Sequence, residues 1–306
     1  MTTPARHPRL ERFDAWWLRD TTPHALALLR IGLGLFLALL WLTRLPYIAA
    51  SASRAGIVLP HPDVGGVLAI LFLPPPAWAA QLVVAVLVAS LLCVAAGMGM
   101  RVAAAVAVLL WMYEWLLSFH LFNTSFDRLF PFLLVVLACS GADRAFSIRM
   151  KMRHGSWFAW EPVSIVWQRI IAVQIAAVYL GVGWQKLWLP DWQSGEVLAW
   201  GLVGRWGTPL GFWLARQNLP MAVYDALVFH VKLFEFAMPV GLWIPGWRWI
   251  FFVWGALFHT LIALLLGIWW FLVLIPAYVV FFPPEEVSDW LERRWKFLQK
   301  EPGGKR

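Results

Sequence analysis

The chain has 306 residues, of which 61% are hydrophobic and 14% charged, and a net charge of +8. A water-soluble domain carries about a quarter charged residues, whereas several apolar runs here reach the ~18–20 residues that cross a bilayer as helix, so a soluble fold is excluded. No alternating pattern of a transmembrane barrel appears. The composition predicts an all-α, polytopic integral membrane bundle, its positive charge marking loops that face anionic lipid rather than a nucleic-acid surface.

Residues 1–22 are polar and charged, show no cleavable signal peptide, and read as a cytoplasmic N-terminal segment. About eight spans follow, near 26–48, 78–98, 102–121, 128–142, 163–186, 222–244, 249–266 and 268–283. Arg30 sits near the start of the first. Pro60-His61-Pro62-Asp63 marks the loop after it, and Gly97-Met98-Gly99-Met100-Arg101 marks a tight turn after the second. Asn123-Thr124-Ser125-Phe126-Asp127 makes the next turn, with Asp127 as a capping residue for the fourth span. The stretch 188–220, rich in Trp, Gly and Pro, predicts an interfacial or re-entrant helix near 195–220, with Gly204–Pro209 its most irregular part. Pro283-Pro284 ends the last span, and 285–306 is an amphipathic charged tail. No internal repeat is visible, so residues 1–306 read as a single transmembrane domain.

Basic residues set the orientation. Arg6, Arg9, Arg12, Arg19, Arg101, the 144–153 loop, Arg248 and the tail fall on one side of an eight-span path. That places both termini in the cytoplasm, as expected of a multi-pass protein of the inner (plasma) membrane. Lys186 and Asn123 then share the outer side. Most of the 23 tryptophans flank spans, as an aromatic belt does. Cys93 and Cys139 lie in apolar runs and read as small buried hydrophobes, not as a disulfide or metal pair.

Polar groups inside spans are costly, so each is a functional candidate. On the fifth span Gln168, Ile175, Tyr179 and Lys186 lie within roughly 20° of one line along a helix, and Gln174 and Gln185 accompany them. Such a stripe can hold helices together or wall an active site. A lysine at the edge of hydrocarbon can snorkel to the headgroups, or it can be desolvated into a neutral amine that takes a proton from a substrate. The sixth span carries Tyr224, Asp225, His230, Lys232 and Glu235. Lys232 and Glu235, three residues apart, are expected to neutralise each other. His230 and His259, on different spans, could ligate haem or handle protons. No CxxCH, HExxH or cysteine-rich metal spacing is present.

Two blocks carry a resemblance. Pro23-His24-Ala25-Leu26-Ala27-Leu28-Leu29-Arg30-Ile31-Gly32-Leu33-Gly34 looks like a first-span pattern Leu-Ala-x-Phe-Arg-x-x-x-Gly. Val178-Tyr179-Leu180-Gly181-Val182-Gly183-Trp184-Gln185-Lys186-Leu187, followed by Asp191-Trp192 and Gly195, is similar to a block with Tyr, Gly-x-x-Lys-Leu, Asp-Trp and Gly in that order. With Phe229-His230, Glu235 and Phe258-His259, these resemble the membrane domain shared by vitamin K-dependent γ-glutamyl carboxylase and its bacterial relatives, the HTTM (horizontally transferred transmembrane) family, over about residues 20–283.

The resemblance implies a lipophilic reduced quinone of the vitamin K type as co-substrate, no metal, and a base-strength-amplification mechanism. A neutral lysine, the family's proposed catalytic base, falls on Lys186 and deprotonates the quinol. Oxygen then yields an epoxide-forming alkoxide that removes a γ-proton from a glutamyl side chain of a peptide or protein substrate. His259 and His230 join Lys186 as catalytic candidates. Tyr179, Glu235, Asn123, Gln174 and Trp192 are the candidates for binding substrate. Where the carboxylases carry Asn-His-Ser-Tyr, this chain reads Asn123-Thr124-Ser125-Phe126. That departure shifts the expectation from glutamate carboxylation to proton abstraction or oxidation of a quinol-like lipid. The alternative is a non-enzymatic membrane carrier or accessory protein that keeps the fold and touches only membrane lipids or a partner. Transport is a third reading, without a visible inverted repeat.

Overall fold

A computed structural model of the chain describes residues 13–298 apart from 15, 59, 61–64, 66–69, 71 and 120–125, with side chains up to residue 295. The Asn123 turn and most of the 60–63 loop therefore lie outside the described residues. Apart from one two-residue ladder, in which Asp20 faces Ser164 and Thr21 faces Val163, regular structure among the described residues is helical.

Among the described residues, five helices are long and apolar enough to cross a membrane: His24–Ala52, Ala77–Ala96, Met100–Leu117, Val166–Trp188 and Arg248–Leu266. A sixth is added if Trp269–Phe281 and Pro284–Trp295, bent by 103°, count as one span. The remaining expected spans differ for physical reasons. Phe126–Ser140 has 15 residues, about 22 Å of rise, against roughly 30 Å of hydrocarbon. Met221–Gly241 is long enough, but it carries Asp225, Lys232 and Glu235. The stretch 268–283 breaks into Trp269–Val273, Leu274–Ala277 and Tyr278–Phe281, where Pro276 has no N–H to continue a helical ladder.

The chain forms two compact units, one of Met1–Arg169 with Pro283–Arg306, the other of Ile170–Phe282. In the first, α1 (His24–Arg44), α2 (Ala77–Ala96), α3 (Met100–Leu117) and α4 (Phe126–Ser140) pack each against the next. The short α5 (Ile148–His154) follows, capped by Ser147, whose hydroxyl accepts from the Met150 N–H at 3.1 Å. The core is aromatic: Trp41 meets Trp111 edge-on at 5.2 Å, and Trp111 meets Phe130 at 5.8 Å. The turn between α2 and α3 forms as the sequence predicts, with Gly97 and Gly99 at φ +65° and +56°. Asp127 sits inside the first turn of α4 rather than ahead of it. Cys139 is exposed on α4, not buried as expected.

Arg30 organises this unit. It has no exposed surface. Its Nε donates to the Ala142 carbonyl at 3.1 Å, and Nη1 donates to the carbonyls of Val94, at 2.9 Å, and Ala95. Nη2 donates to Ala145 at 3.3 Å and Phe146 at 2.7 Å. Val94 and Ala95 belong to the last turn of α2, whose carbonyls lack helical partners and where the helix dipole favours a cation. One turn on, Gly34 faces the same helix. A Cβ there would lie 2.8 Å from the Ala95 nitrogen and 2.9 Å from the Leu91 oxygen. The Arg-x-x-x-Gly pattern is thus a packing device: the glycine admits α2, and the arginine ties its end.

In the second unit, α6 (Val166–Trp188), whose first turn lies at the unit boundary, leads to a 3₁₀ turn at Pro190–Trp192. The expected irregular stretch becomes two short helices, α7 (Glu196–Val203) and α8 (Pro209–Ala215), which pack on each other. They contact α9 (Met221–Gly241) and α10 (Arg248–Leu266), and the broken 269–281 segment packs on α10.

Candidate functional site

The stripe expected on α6 is buried: Gln168, Ile175 and Tyr179 each expose 6% or less, and the Lys186 side chain exposes 13%. Lys186 Nζ donates to Glu235 Oε1. The expected pairing of Glu235 with Lys232 is replaced, because the carboxylate of α9 points to α6 rather than along its own helix. Glu235 side chain exposure is 8%, so two charges are held away from water, where an ion pair is strong only with good geometry and further hydrogen bonds.

Gly183 makes that meeting possible. It lies three residues before Lys186, one helical turn, and a Cβ at Gly183 would approach the Glu235 Cβ to 3.1 Å and its Oε2 to 3.5 Å. The Trp192 ring lies under the ammonium, 4.1 Å from Nζ to centroid, a cation–π contact. Gln193, which the sequence reading passed over, fastens the helix end. Its Nε2 donates to the carbonyls of Lys186, Leu187 and Leu189 at 3.3, 3.0 and 2.9 Å. Gly195 N–H donates to Asp225 Oδ1 at 2.6 Å, joining the start of α7 to α9. The Gly-x-x-Lys … Asp-Trp … Gly block is therefore one clasp between the end of α6 and α9.

The two oxygens of Glu235 are not equivalent. Oε1 takes the lysine, while Oε2 is buried and has no hydrogen-bond partner among the described residues. A buried acceptor left unpaired costs about 1–3 kcal/mol or more, and in a native fold such an atom is accounted for by strain, by a catalytic role or by an ordered water or ion.

A second polar cluster lies deeper along α6. Tyr179 Oη and His259 Nε2 are 2.6 Å apart, His259 Nε2 and Tyr278 Oη are 2.9 Å apart, and the two tyrosine hydroxyls are hydrogen-bonded to each other. His259 exposes 2% and Tyr278 none. Phe271 stacks on the imidazole at 5.7 Å, and Phe234 packs edge-on against both Tyr179 and His259. His259 Nδ1 is likewise buried with no hydrogen-bond partner among the described residues. Three oxygen and nitrogen atoms in mutual contact, enclosed by aromatic rings, can pass a proton among themselves without water.

Of the residues expected from sequence, Lys186, Glu235 and Trp192 come together, and Tyr179 and His259 come together with Tyr278, which the sequence reading missed. Its only signal was a tyrosine, one of five, inside an apolar stretch. Glu114, fully buried on α3 with neither oxygen hydrogen-bonded among the described residues, was missed too. His230 joins neither cluster. It is exposed on α9 and accepts the Trp254 indole N–H at 3.2 Å. With its Nε2 held by Trp254, and that of His259 held by two tyrosines, neither ring offers this nitrogen to a haem iron. Gln174 is half-buried and makes no side-chain hydrogen bond among the described residues.

His230 instead stands in the wall of a cavity of about 410 Å³ enclosed by α7, α8, α9 and α10. Its other walls are almost wholly hydrocarbon, including Leu202, Leu227, Leu257 and Leu261. This volume is within the ~300–1,000 Å³ of small-molecule sites.

No curated protein and no solved structure matches the chain. The model of one family, the HTTM domain, matches residues 18–286, which takes in both blocks, the clasp and the tyrosine–histidine cluster. The chain is a membrane protein of the HTTM family, a family related to vitamin K-dependent carboxylase.

Proposed function

We propose that the second unit is a proton-transfer site in the lipid phase, acting on a reduced quinone or a similar lipophilic hydroxyl compound, with the Lys186–Glu235 pair as its base. The unpartnered Glu235 Oε2 carries this reading. A buried carboxylate oxygen beside a fixed ammonium is the acceptor that an incoming hydroxyl completes. The substrate O–H donates to Oε2, its proton moves to the carboxylate, and the oxyanion that forms is held by the Lys186 charge. The base thus differs from the neutral lysine expected from sequence: Glu235 takes the proton and Lys186 stabilises the anion.

The residues present fit such a compound. The hydrocarbon cavity, which His230 lines but Lys186 and Glu235 do not, suits its apolar body. When bound, a reduced quinone would supply an acidic hydroxyl and two reducing electrons; the chain supplies binding, orientation and proton handling. The Tyr179–His259–Tyr278 cluster, closed off by Phe234 and Phe271, serves as a dry proton store. Glutamate carboxylation rests on the family resemblance alone. The proposal includes the eight-segment path in the inner membrane with both termini cytoplasmic, supported by the distribution of basic residues.

A non-enzymatic role has one observation in its favour: Trp192, Gln193 and Glu235 hold Lys186 as a structural lock also would. Quinol-dependent oxygen uptake by the purified protein in lipid nanodiscs separates the two. Glu235→Gln, which keeps a hydrogen bond to Lys186, is expected to lower uptake about 100-fold. Equal turnover in a folded Glu235→Gln protein, or none in the unaltered protein, supports the structural lock instead.

A further inference from the structure

A second cavity, of about 520 Å³, lies in the first unit. It is enclosed by the start of α3 (Gly99 to Val102), the end of α4 and the following loop (Ala138 to Arg144), Arg149 of α5, and the Val163–Trp167 stretch. We propose that it holds the phosphate headgroup of an anionic phospholipid.

Its lining carries three arginines, Arg101, Arg144 and Arg149, against one carboxylate, Asp143. Arg149 donates to Asp143 at 2.9 Å, and Arg144 Nη1 donates to the Pro162 carbonyl at 2.6 Å. Arg101 is exposed and has no carboxylate partner among the described residues. Arg144 Nε also lies 3.9 Å from Glu161 Oε2, so Arg101 is the lining arginine that no described carboxylate answers. The first turn of α3 adds to it: no side chain caps this 18-residue helix and no acid stands in its first turn, so its N–H groups and dipole face the cavity unanswered.

Two observations favour a lipid over a free ion. The cavity lies at the start of α3, a candidate span, which is headgroup depth. From Val102 and Cys139 in its lining, exposed apolar side chains continue along both adjoining helices: Leu109 on α3, and Val135 and Phe132 on α4. Basic pockets between spans that recognise anionic headgroups have this form.

Native mass spectrometry of the delipidated protein tests it, with dioleoyl phosphatidylglycerol, dioleoyl phosphatidylcholine and inorganic phosphate as probes. The phosphatidylglycerol complex is expected to survive at about tenfold lower lipid concentration than the phosphatidylcholine complex. Arg101→Glu is expected to abolish that preference while leaving the thermal midpoint unchanged, because the side chain is exposed; Arg101→Lys keeps most of it. Equal binding of the two lipids overturns the proposal, as does an unaltered preference in Arg101→Glu. Displacement of the lipid by millimolar inorganic phosphate identifies a free-phosphate site and overturns the lipid reading.

Discussion

Gly183 on α6 faces Glu235 on α9 so closely that a methyl group added at Gly183 would meet the Glu235 Cβ at 3.1 Å and the Phe236 ring at 3.3 Å. The helices must part by a few tenths of an ångström to admit it. Gly183→Ala is therefore expected to destabilise the second unit by about 1–3 kcal/mol and to lower quinol turnover, because the Lys186–Glu235 contact loosens as α9 recedes. Thermal denaturation in detergent, read beside oxygen uptake, checks both. A variant as stable and active as the parent shows that α9 is not pinned at this point.

Breaking a buried pair leaves a charge alone. Lys186→Met strands the Glu235 carboxylate, and Glu235→Leu strands the ammonium. Each is expected to cost about 3–5 kcal/mol, whereas the double variant recovers most of that loss. A double-mutant cycle on the thermal midpoint measures the coupling. All three proteins are expected to lose turnover, so activity and stability part company in the double variant, as a site residue requires and a structural lock does not.

Arg30 answers five carbonyl contacts from one guanidinium. Arg30→Met leaves them buried and unpaired and is expected to cost more than about 4 kcal/mol, among the largest single losses in the chain. Arg30→Lys supplies three donors at one point and cannot reach both the end of α2 and the 142–146 loop, so it is expected to fall between. The yield of folded, detergent-extracted protein and its melting midpoint measure the order.

Glu161 lies outside the spans. The hydrogen bond from His154, at 3.1 Å, holds its carboxyl below the usual range, with the charges of Arg153, Arg149 and Arg144 adding to the effect. A depressed folded value contributes stability that is complete above the unfolded value of about 4.3 and is lost as pH falls through the folded one. The midpoint difference between parent and Glu161→Gln is expected to shrink toward zero as pH falls below ~4. A difference that grows on acidification contradicts this assignment.

The resemblance blocks were legible as motifs, but their physical meaning was not. Sequence spacing put Tyr179 and Lys186 on one buried face, and burial agrees. Spacing also offered Lys232 to Glu235, three residues apart, and there it misled: helical proximity says two groups can meet, not that a neighbouring helix has no better partner. Tyr278 was invisible because the 269–281 segment is broken and no single periodicity assigns its inward face. Residue type and the resemblance put His230 with His259, and the structure separates their partners.

Composition by itself determined that this chain folds as apolar helices for a membrane, because so few charges cannot cover a soluble surface. Residue order located the turn at Gly97 and the lysine near the end of α6. Which carboxylate that lysine meets, which tyrosine completes the histidine cluster, and where three arginines surround a cavity were decided only in tertiary structure. Each depends on contacts between residues tens of positions apart, set by how closely two helices approach, and that distance is written in packing rather than in the order of residues.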